Sequence, residues 1–293
     1  MPTLRQLTAD LSTALQALYE APEAEAIAGQ VLEHLLHLTP LHRLMRAAEE
    51  VGADERLAAL PEIQARLLRH EPLQYVLGTA HFAGLELSVT PATLIPRPET
   101  EELVELIVRE QRGRSGLQVL DVGTGSGCIP LALAARLPGA QFTAVDVSAE
   151  ALAVARRNAV RCGVAVDFQQ VDILAAAPQL PAPLNVLVSN PPYVLENERP
   201  LMRPNVLTYE PATALFVPDH NPLLFYRRIA QLGQELLAAG GVLYFEINEQ
   251  FATETEALLR GLGYTAVESY EDIFGRPRLV RATWAGALAN SKG

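Results

Sequence analysis

The chain has 293 residues, 49% of them hydrophobic and 19% charged, which suits a large core or two domains and excludes a disordered polypeptide. Its formal net charge of −11 excludes a broad phosphate-binding surface, which needs clustered Lys and Arg, so no direct nucleic-acid partner is expected. No apolar run is long enough to span a bilayer, and the N-terminus lacks the basic, apolar and small-residue succession of a secretory signal, so a soluble cytoplasmic monomer with no membrane partner is expected.

Residues 1–72 read as an all-helical bundle. Thr3 with Gln6 fits a capping box, and Leu4, Leu7, Leu11, Leu15 and Leu18 recur at the three- and four-residue steps of one helix face. A second helix is predicted from Glu23 to Leu38, with Ile27, Val31, Leu35 and Leu38 turned inward and Thr39-Pro40 as its stop. His34 and His37 can share a face of it, but no acidic or Cys ligand joins them in a motif, so no metal is expected. Helical pattern resumes from Leu41 to Glu50, with Gly52 as a stop, and from Asp54 to Arg69, with Pro61 as a point of interruption. No catalytic constellation is visible in this bundle, which points to a binding or orienting role.

From Leu73 to Val89 the pattern changes to short β segments with Gly78 and Gly84 at turns, so a β-hairpin linker is expected over 73–92. Two prolines stiffen the next stretch, Ile95-Pro96-Arg97-Pro98-Glu99-Thr100-Glu101, where Pro98 can open a helix reaching about Arg109 and Arg97 has its guanidinium free to reach a neighbour. Strands and helices then alternate. Strands are predicted over 117–122, 142–147, 164–171, 184–189, 242–247, 265–270 and 279–284, and helices over 129–137, 149–162, 223–237 and 250–262. This rhythm predicts an α/β domain over 93–285 with a mostly parallel sheet covered on both faces. The last two strands flank a short turn at Gly275 and can be antiparallel, and a flexible tail is expected over 286–293. Cys128 and Cys162 are too few for a disulfide framework or a thiolate metal site and are expected to be reduced.

The strand ends carry the chemistry. The first strand of the domain runs into Asp121-Val122-Gly123-Thr124-Gly125-Ser126-Gly127, where glycines permit unusual backbone angles and close approach of a ligand at the head of a helix. The dinucleotide fingerprint would need a glycine where Cys128 stands, and no Lys follows to bind phosphates, so neither an NAD site nor a P-loop fits. Asp146, ending the next strand about twenty residues on, can accept from both hydroxyls of a ribose. Asp172 and Ile173, ending the third, can add a polar contact and an apolar wall for an adenine ring, and Asp121 can lie near a cationic amino group. Adenosine with an amino-acid tail suits this set better than a pyrophosphate does.

The strand over 184–189 ends in Ser189-Asn190-Pro191-Pro192-Tyr193. Two prolines cannot continue a ladder, so the chain turns out of the sheet there, at the edge where open α/β sheets bind ligands. Asn190 offers an amide oxygen and Pro191 a carbonyl, a pair of acceptors suited to an NH2 group, and Tyr193 adds a flat face for a planar amide or base. Taken alone, an Asn-Pro dipeptide more often marks a plain turn.

Together the glycine turn and Asp146 resemble the S-adenosyl-L-methionine site of class I methyltransferases, and Asn190-Pro191-Pro192-Tyr193 is similar to their amino-methylating motif, shared with adenine-N6 enzymes. Leu73-Gln74-Tyr75-Val76-Leu77-Gly78, the segment Ile95 to Glu101, Tyr209-Glu210-Pro211 with Ala214-Leu215, and Phe245-Glu246-Ile247 with Gln250 are more specific. With them nearly the whole chain resembles the bacterial peptide chain release factor glutamine N5-methyltransferases. It departs from that pattern at Asp219-His220-Asn221-Pro222, where the family tends to carry glycines, and at Ile173, often aromatic. The resemblance implies a Rossmann-like, seven-stranded methyltransferase sheet behind a helical domain that docks the substrate. It implies methyl transfer from S-adenosyl-L-methionine, leaving S-adenosyl-L-homocysteine, to the glutamine of a Gly-Gly-Gln loop in class 1 release factors. Asn190, Pro191, Pro192 and Tyr193 would be catalytic and, with Arg97, substrate-binding. Asp121, Gly123, Thr124, Gly125, Ser126, Gly127, Asp146, Asp172, Ile173 and Asn190 would hold the cofactor. An adenine-N6 methyltransferase acting on DNA or RNA, or a non-catalytic module binding the same cofactor, are the alternatives.

Overall fold

The structure is a computed structural model describing residues 1–52 and 54–286; of the tail expected over 286–293, only Gly286 lies within the described residues. The chain forms two compact units, one comprising Met1–Thr79 with Arg203–Tyr209 and the other Ala80–Met202 with Glu210–Gly293.

In the first unit, α1 (Leu4–Leu15) starts at the expected capping box, where Gln6 N donates to Thr3 Oγ1 at 3.2 Å and Thr3 N to Gln6 Oε1 at 2.7 Å. Helix α2 (Ala21–Leu36) stops at His37, whose left-handed φ of 53° closes the last turn. Helix α3 (Pro40–Met45) is shorter than the span expected from Leu41 to Glu50. Helix α4 (Leu60–Leu67) follows a 3-10 turn over Glu55–Ala59, and Pro61 sits in its first turn, so that proline opens the helix where an interruption was expected. A larger correction concerns Leu73–Leu77, which forms the helix α5 and not a β segment. Pro72 opens it, Gly78 closes it with φ 73°, and Val76 is buried among Leu11, Leu15, Val31 and Leu67. The Arg66 guanidinium donates to the carbonyls of Tyr75 and Val76 at 3.1 and 3.2 Å, satisfying acceptors that one helical turn cannot satisfy itself.

The expected hairpin is β1 (Thr79–Phe82) and β2 (Leu85–Ser88), joined by Ala83 and Gly84 at φ 48° and 81°, a conformation that gives a tight two-residue turn. There follow α6 (Pro98–Gln111), β3 (Gln118–Val122), α7 (Cys128–Arg136), β4 (Gln141–Asp146), α8 (Ala149–Cys162), β5 (Asp167–Gln170) and β6 (Leu184–Ser189). Next come β7 (Val194–Leu195), α9 (Pro204–Tyr209, part of the first unit), β8 (Phe216–Val217), α10 (Leu224–Leu236), β9 (Leu237–Glu246), α11 (Ala252–Gly261), β10 (Tyr264–Glu271) and β11 (Pro277–Trp284). Strand β5 begins later than residue 164, because Val164 N still bonds to Ala159 O at 3.2 Å in the closing turn of α8.

The main sheet has seven strands in the order β10-β11-β9-β6-β3-β4-β5, parallel from β9 to β5 and antiparallel at β11 and β10. Alternate residues feed opposite faces. Val119, Val186, Val188 and Tyr244 face Leu103, Ile107 and Leu131, whereas Leu120, Leu187, Leu243 and Phe245 face Ile229, Leu232 and Leu259. Cover on both sides explains why these strands read as continuous apolar runs. From β3 the chain proceeds outward through β4 and β5, then returns to β6 on the other side of β3. That reversal falls between β3 and β6, whose carboxyl ends are the usual ligand position in open α/β sheets. Among the described residues no helix is long and apolar enough to cross a membrane, and no group of three or more His, Cys, Asp or Glu is placed to hold a metal ion.

Candidate active site

The glycine turn leaves β3 and folds against β4. Gly123 N and Thr124 N both donate to Val145 O, at 2.9 and 3.0 Å, and Gly127 N donates to Thr124 O at 2.8 Å. Gly127 caps α7 with φ 82°, and a Cβ there would lie 3.2 Å from both Ala155 Cβ and Leu131 Cδ1, so this glycine permits close helix packing. Gly123 and Gly125 also have positive φ, yet a Cβ on either meets nothing within 4 Å, which leaves the outer face of the turn open to a ligand. Asp146, at the end of β4, locks the turn by accepting from Gly125 N at 2.8 Å and Ser148 N at 2.9 Å. Burial raises its pKa, and the amide donors of Ser148 and Gly125 oppose that rise.

Four buried polar atoms at this edge have no partner: both carboxylate oxygens of Asp121, Thr124 Oγ1 and Ser126 Oγ. Asp121 is 0% exposed. Burial pushes its carboxyl up to about 7, the nearby Thr124 hydroxyl opposes this without reaching ordinary hydrogen-bond geometry, and the Asp146 carboxylate adds to it. A buried anion without donors is costly unless a cation arrives to meet it. The orphaned Asp121 carboxylate, the open glycine face and the Asp146 carboxylate beside it fit a cofactor carrying an ammonium group and a nucleoside.

At the end of β6, Ser189 Oγ donates to Val122 O at 2.6 Å and pins the strand to β3. Tyr193 N and Val194 N both donate to Leu215 O, at 3.2 and 2.9 Å, and Asn248 Nδ2 donates to Tyr193 O at 3.2 Å, so the turn after the prolines is held from two sides. Asn190 Nδ2 donates to Thr100 Oγ1 at 3.2 Å, Thr100 Oγ1 donates to Glu246 Oε2 at 2.6 Å, and Tyr193 Oη donates to Glu246 Oε1 at 3.1 Å. Glu246 is 1% exposed; burial raises its pKa, against the hydrogen bonds from Thr100 and Tyr193. The Tyr193 hydroxyl is driven far above its ordinary value by burial and then by the Glu246 charge, so it stays a donor.

Asp121, the glycine turn, Asp146 and Asn190 to Tyr193 thus stand at the carboxyl edge of adjoining strands, as their sequence positions implied. Ile173 is buried in the same core cluster as Leu120, Val122 and Val145, beyond the end of β5. Asp172 is exposed, and its carboxylate accepts from Leu174 N at 2.9 Å, which engages it in its own turn. The Arg97 guanidinium is engaged too: Nη2 donates to Glu210 Oε1 at 2.6 Å, with Glu210 1% and Arg97 34% exposed at the side chain. This pair clasps the Pro96-Arg97-Pro98 segment to Glu210-Pro211, and Ile95 N adds a bond to Glu210 Oε2 at 3.4 Å.

Sequence reading assigned no role to Thr100, Glu246 or Asn248. The available signal was a carboxylate ending a strand of otherwise apolar residues, Val242 to Phe245, where a buried Glu needs partners. Asn158 was likewise missed. It is fully buried on α8 and donates to Ser88 O and Ser126 O, both at 2.9 Å, while accepting from Ser88 N at 2.7 Å, so it ties the hairpin to the glycine turn.

A family model described as the methyltransferase small domain matches residues 99–204, and one described as the PrmC N-terminal domain matches residues 9–78. The chain is 42% identical over 284 residues to a release factor glutamine methyltransferase from Bacteroides thetaiotaomicron, covering 95% of this chain and 99% of that protein. It is 38% identical over 283 residues to a protein of the same name from Deinococcus radiodurans, covering 97% and 98%. Its fold is similar to the crystal structure of a methyltransferase from Pyrococcus furiosus, at a TM-score of 0.50 and 20% identity over 77% of this chain and 99% of that one.

Proposed function

This chain belongs to the release factor glutamine methyltransferase family, and on that premise we propose that it methylates the side-chain amide nitrogen, N5, of a glutamine in class 1 peptide chain release factors. The observation that carries this reading is the Asn190 amide. One N–H of its NH2 goes to Thr100, which turns the amide oxygen away from Thr100 and leaves it to accept from a substrate. Asp121, the turn Gly123 to Gly127, Asp146 and Ile173 would hold S-adenosyl-L-methionine, which would supply an electrophilic methyl group.

An amide nitrogen is a poor nucleophile because its lone pair is delocalised into the carbonyl. Asn190 Oδ1 and the Pro191 carbonyl accept its two N–H bonds and hold the nitrogen in one orientation, which removes part of the entropic barrier. As positive charge develops on nitrogen, both acceptors bind it more strongly than in the ground state, and that difference is catalysis. Pro192 keeps the turn rigid, Tyr193 presents its ring to the amide plane, and the proton is lost afterward to water. Arg97, clasped by Glu210, borders the substrate side, and the helical unit matched over 9–78 docks the release factor. A translation factor as substrate places the reaction in the cytoplasm.

Incubation with radiolabelled S-adenosyl-L-methionine and intact release factor, its Gln→Ala loop variant, or DNA tests the reading. Label is expected on the release factor alone and lost in the variant. Label on DNA, or equal label on the variant, would overturn it.

A further inference from the structure

We propose that Glu246 and Thr100 are positioning residues that set which way the Asn190 amide faces, and so decide whether the site presents an acceptor or a donor to its substrate. The inference rests on the methyl-transfer reading above and adds the polarity of a hydrogen-bond relay to it.

An amide side chain is nearly symmetric in shape but opposite in hydrogen-bonding sense at its two ends. Rotating Asn190 by half a turn about its last bond would point its NH2 at the substrate nitrogen, which also carries hydrogens, and the site would repel the group it must hold. Steric packing distinguishes the two states poorly. The relay distinguishes them by chemistry. Thr100 has one hydroxyl hydrogen, and at 2.6 Å it is given to the Glu246 carboxylate, which only accepts when ionised. The Thr100 oxygen can then only accept from Asn190, and the partner 3.2 Å away must be Nδ2. The other Glu246 oxygen accepts from Tyr193 Oη at 3.1 Å, so one carboxylate orients both the amide and the ring of the acceptor motif. Glu246 and Thr100 sit on different elements, the last residue of β9 and the first turn of α6, so the relay exists only in the assembled domain.

Reversing the relay tests this. In Glu246→Gln the Tyr193 hydroxyl still needs an acceptor and takes the amide oxygen, which turns the Gln NH2 toward Thr100. Thr100 must then donate to position 190 and favours the wrong Asn190 rotamer. An aspartate at 190 has two equivalent oxygens and accepts readily from a donating Thr100. Single-turnover methyl transfer to release factor is expected to fall about tenfold or more in Glu246→Gln, the rate equivalent of one buried hydrogen bond. Cofactor affinity by calorimetry and the melting temperature should stay near wild type. In the Asn190→Asp background the same Glu246→Gln change is expected to raise the rate, and a purely structural role for Glu246 would not reverse sign. Thr100→Ser should keep the wild-type rate within about twofold, whereas the isosteric Thr100→Val should lose about tenfold.

Glu246→Gln or Thr100→Val proceeding at the wild-type rate overturns the relay. So does an Asn190→Asp rate that is no higher with Glu246→Gln than without it. A wild-type enzyme that leaves release factor unlabelled is a different failure, that of the proposed substrate.

Discussion

Asp121→Asn should make the cofactor-free protein more stable at alkaline pH while making it a poorer cofactor binder. The Asp121 carboxyl has an ordinary value of 3.8 and stands at about 7 in the fold, with burial the main cause. At about 1.4 kcal/mol for each tenfold, that interval corresponds to about 4 kcal/mol of cost for holding the ionised group in the folded state. The sign follows from proton binding. Between pH 3.8 and about 7 the folded chain keeps a proton that the unfolded chain has released, so stability falls as pH rises through that window. Below it both states are protonated and the cost vanishes; above it both are ionised and the cost is complete. An asparagine of the same shape carries no charge, so it avoids the cost, less the penalty of burying an amide without partners, about 1–3 kcal/mol. The net gain above pH 7 is therefore about 1–3 kcal/mol, and in a chain of this size each kcal/mol raises the midpoint by about 2–4 °C. Differential scanning calorimetry of both proteins without cofactor at pH 4.5 and pH 8.5 measures it. The variant should gain on wild type with rising pH, and titration with S-adenosyl-L-methionine at pH 8.5 should show weaker binding. A stability difference independent of pH, or a variant less stable than wild type at pH 8.5, would refute the reasoning.

Asn190→Ala is expected to slow single-turnover methyl transfer about 100-fold or more, the scale of losing a donor or acceptor aimed at developing charge, with cofactor affinity changed less than threefold by calorimetry. Asp146→Ala removes the acceptor of two backbone amides, Gly125 N and Ser148 N, so cofactor affinity should fall at least about tenfold, and more than the rate at saturating cofactor. Arg97→Met removes the guanidinium partner of the buried Glu210 and leaves the 3.4 Å bond from Ile95 N. It should cost about 2 kcal/mol in urea unfolding, less than a fully buried pair because Arg97 is partly exposed, and adding Glu210→Gln should recover part of that. Gly127→Ala combines φ 82° with contacts at 3.2 Å and should cost about 1–3 kcal/mol while weakening cofactor binding, whereas Ala at the exposed Gly261 should be neutral or stabilising.

Local order was legible wherever one physical signal dominated. Thr3 and Gln6 announce their cap, the apolar runs Val119-Leu120 and Val186 to Val188 announce strands covered on both faces, and Gly123, Gly125 and Gly127 announce a turn at a helix head. Leu73 to Leu77 was misread because five apolar-rich residues suit a strand or a helical turn equally. Arg66, reaching Tyr75 and Val76 carbonyls from an earlier helix, favours the helix, and that partner is invisible in the local sequence.

The candidate site follows the same division. By itself the amino-acid sequence determined which groups are available at the strand ends: the acceptors of Asn190 and Pro191, the Asp146 carboxylate beside the glycine turn, and the Asp121 carboxylate. These follow from residue type and position at a strand's end. Only the tertiary structure decided how they are aimed. The Thr100 to Glu246 relay joins residues 146 positions apart, the Arg97–Glu210 clasp joins residues 113 apart, and the isolation of the Asp121 carboxylate depends on which donors the fold leaves out of reach. Hydrogen bonds are short-ranged and directional, so their polarity is a property of atoms brought within 3.5 Å by folding.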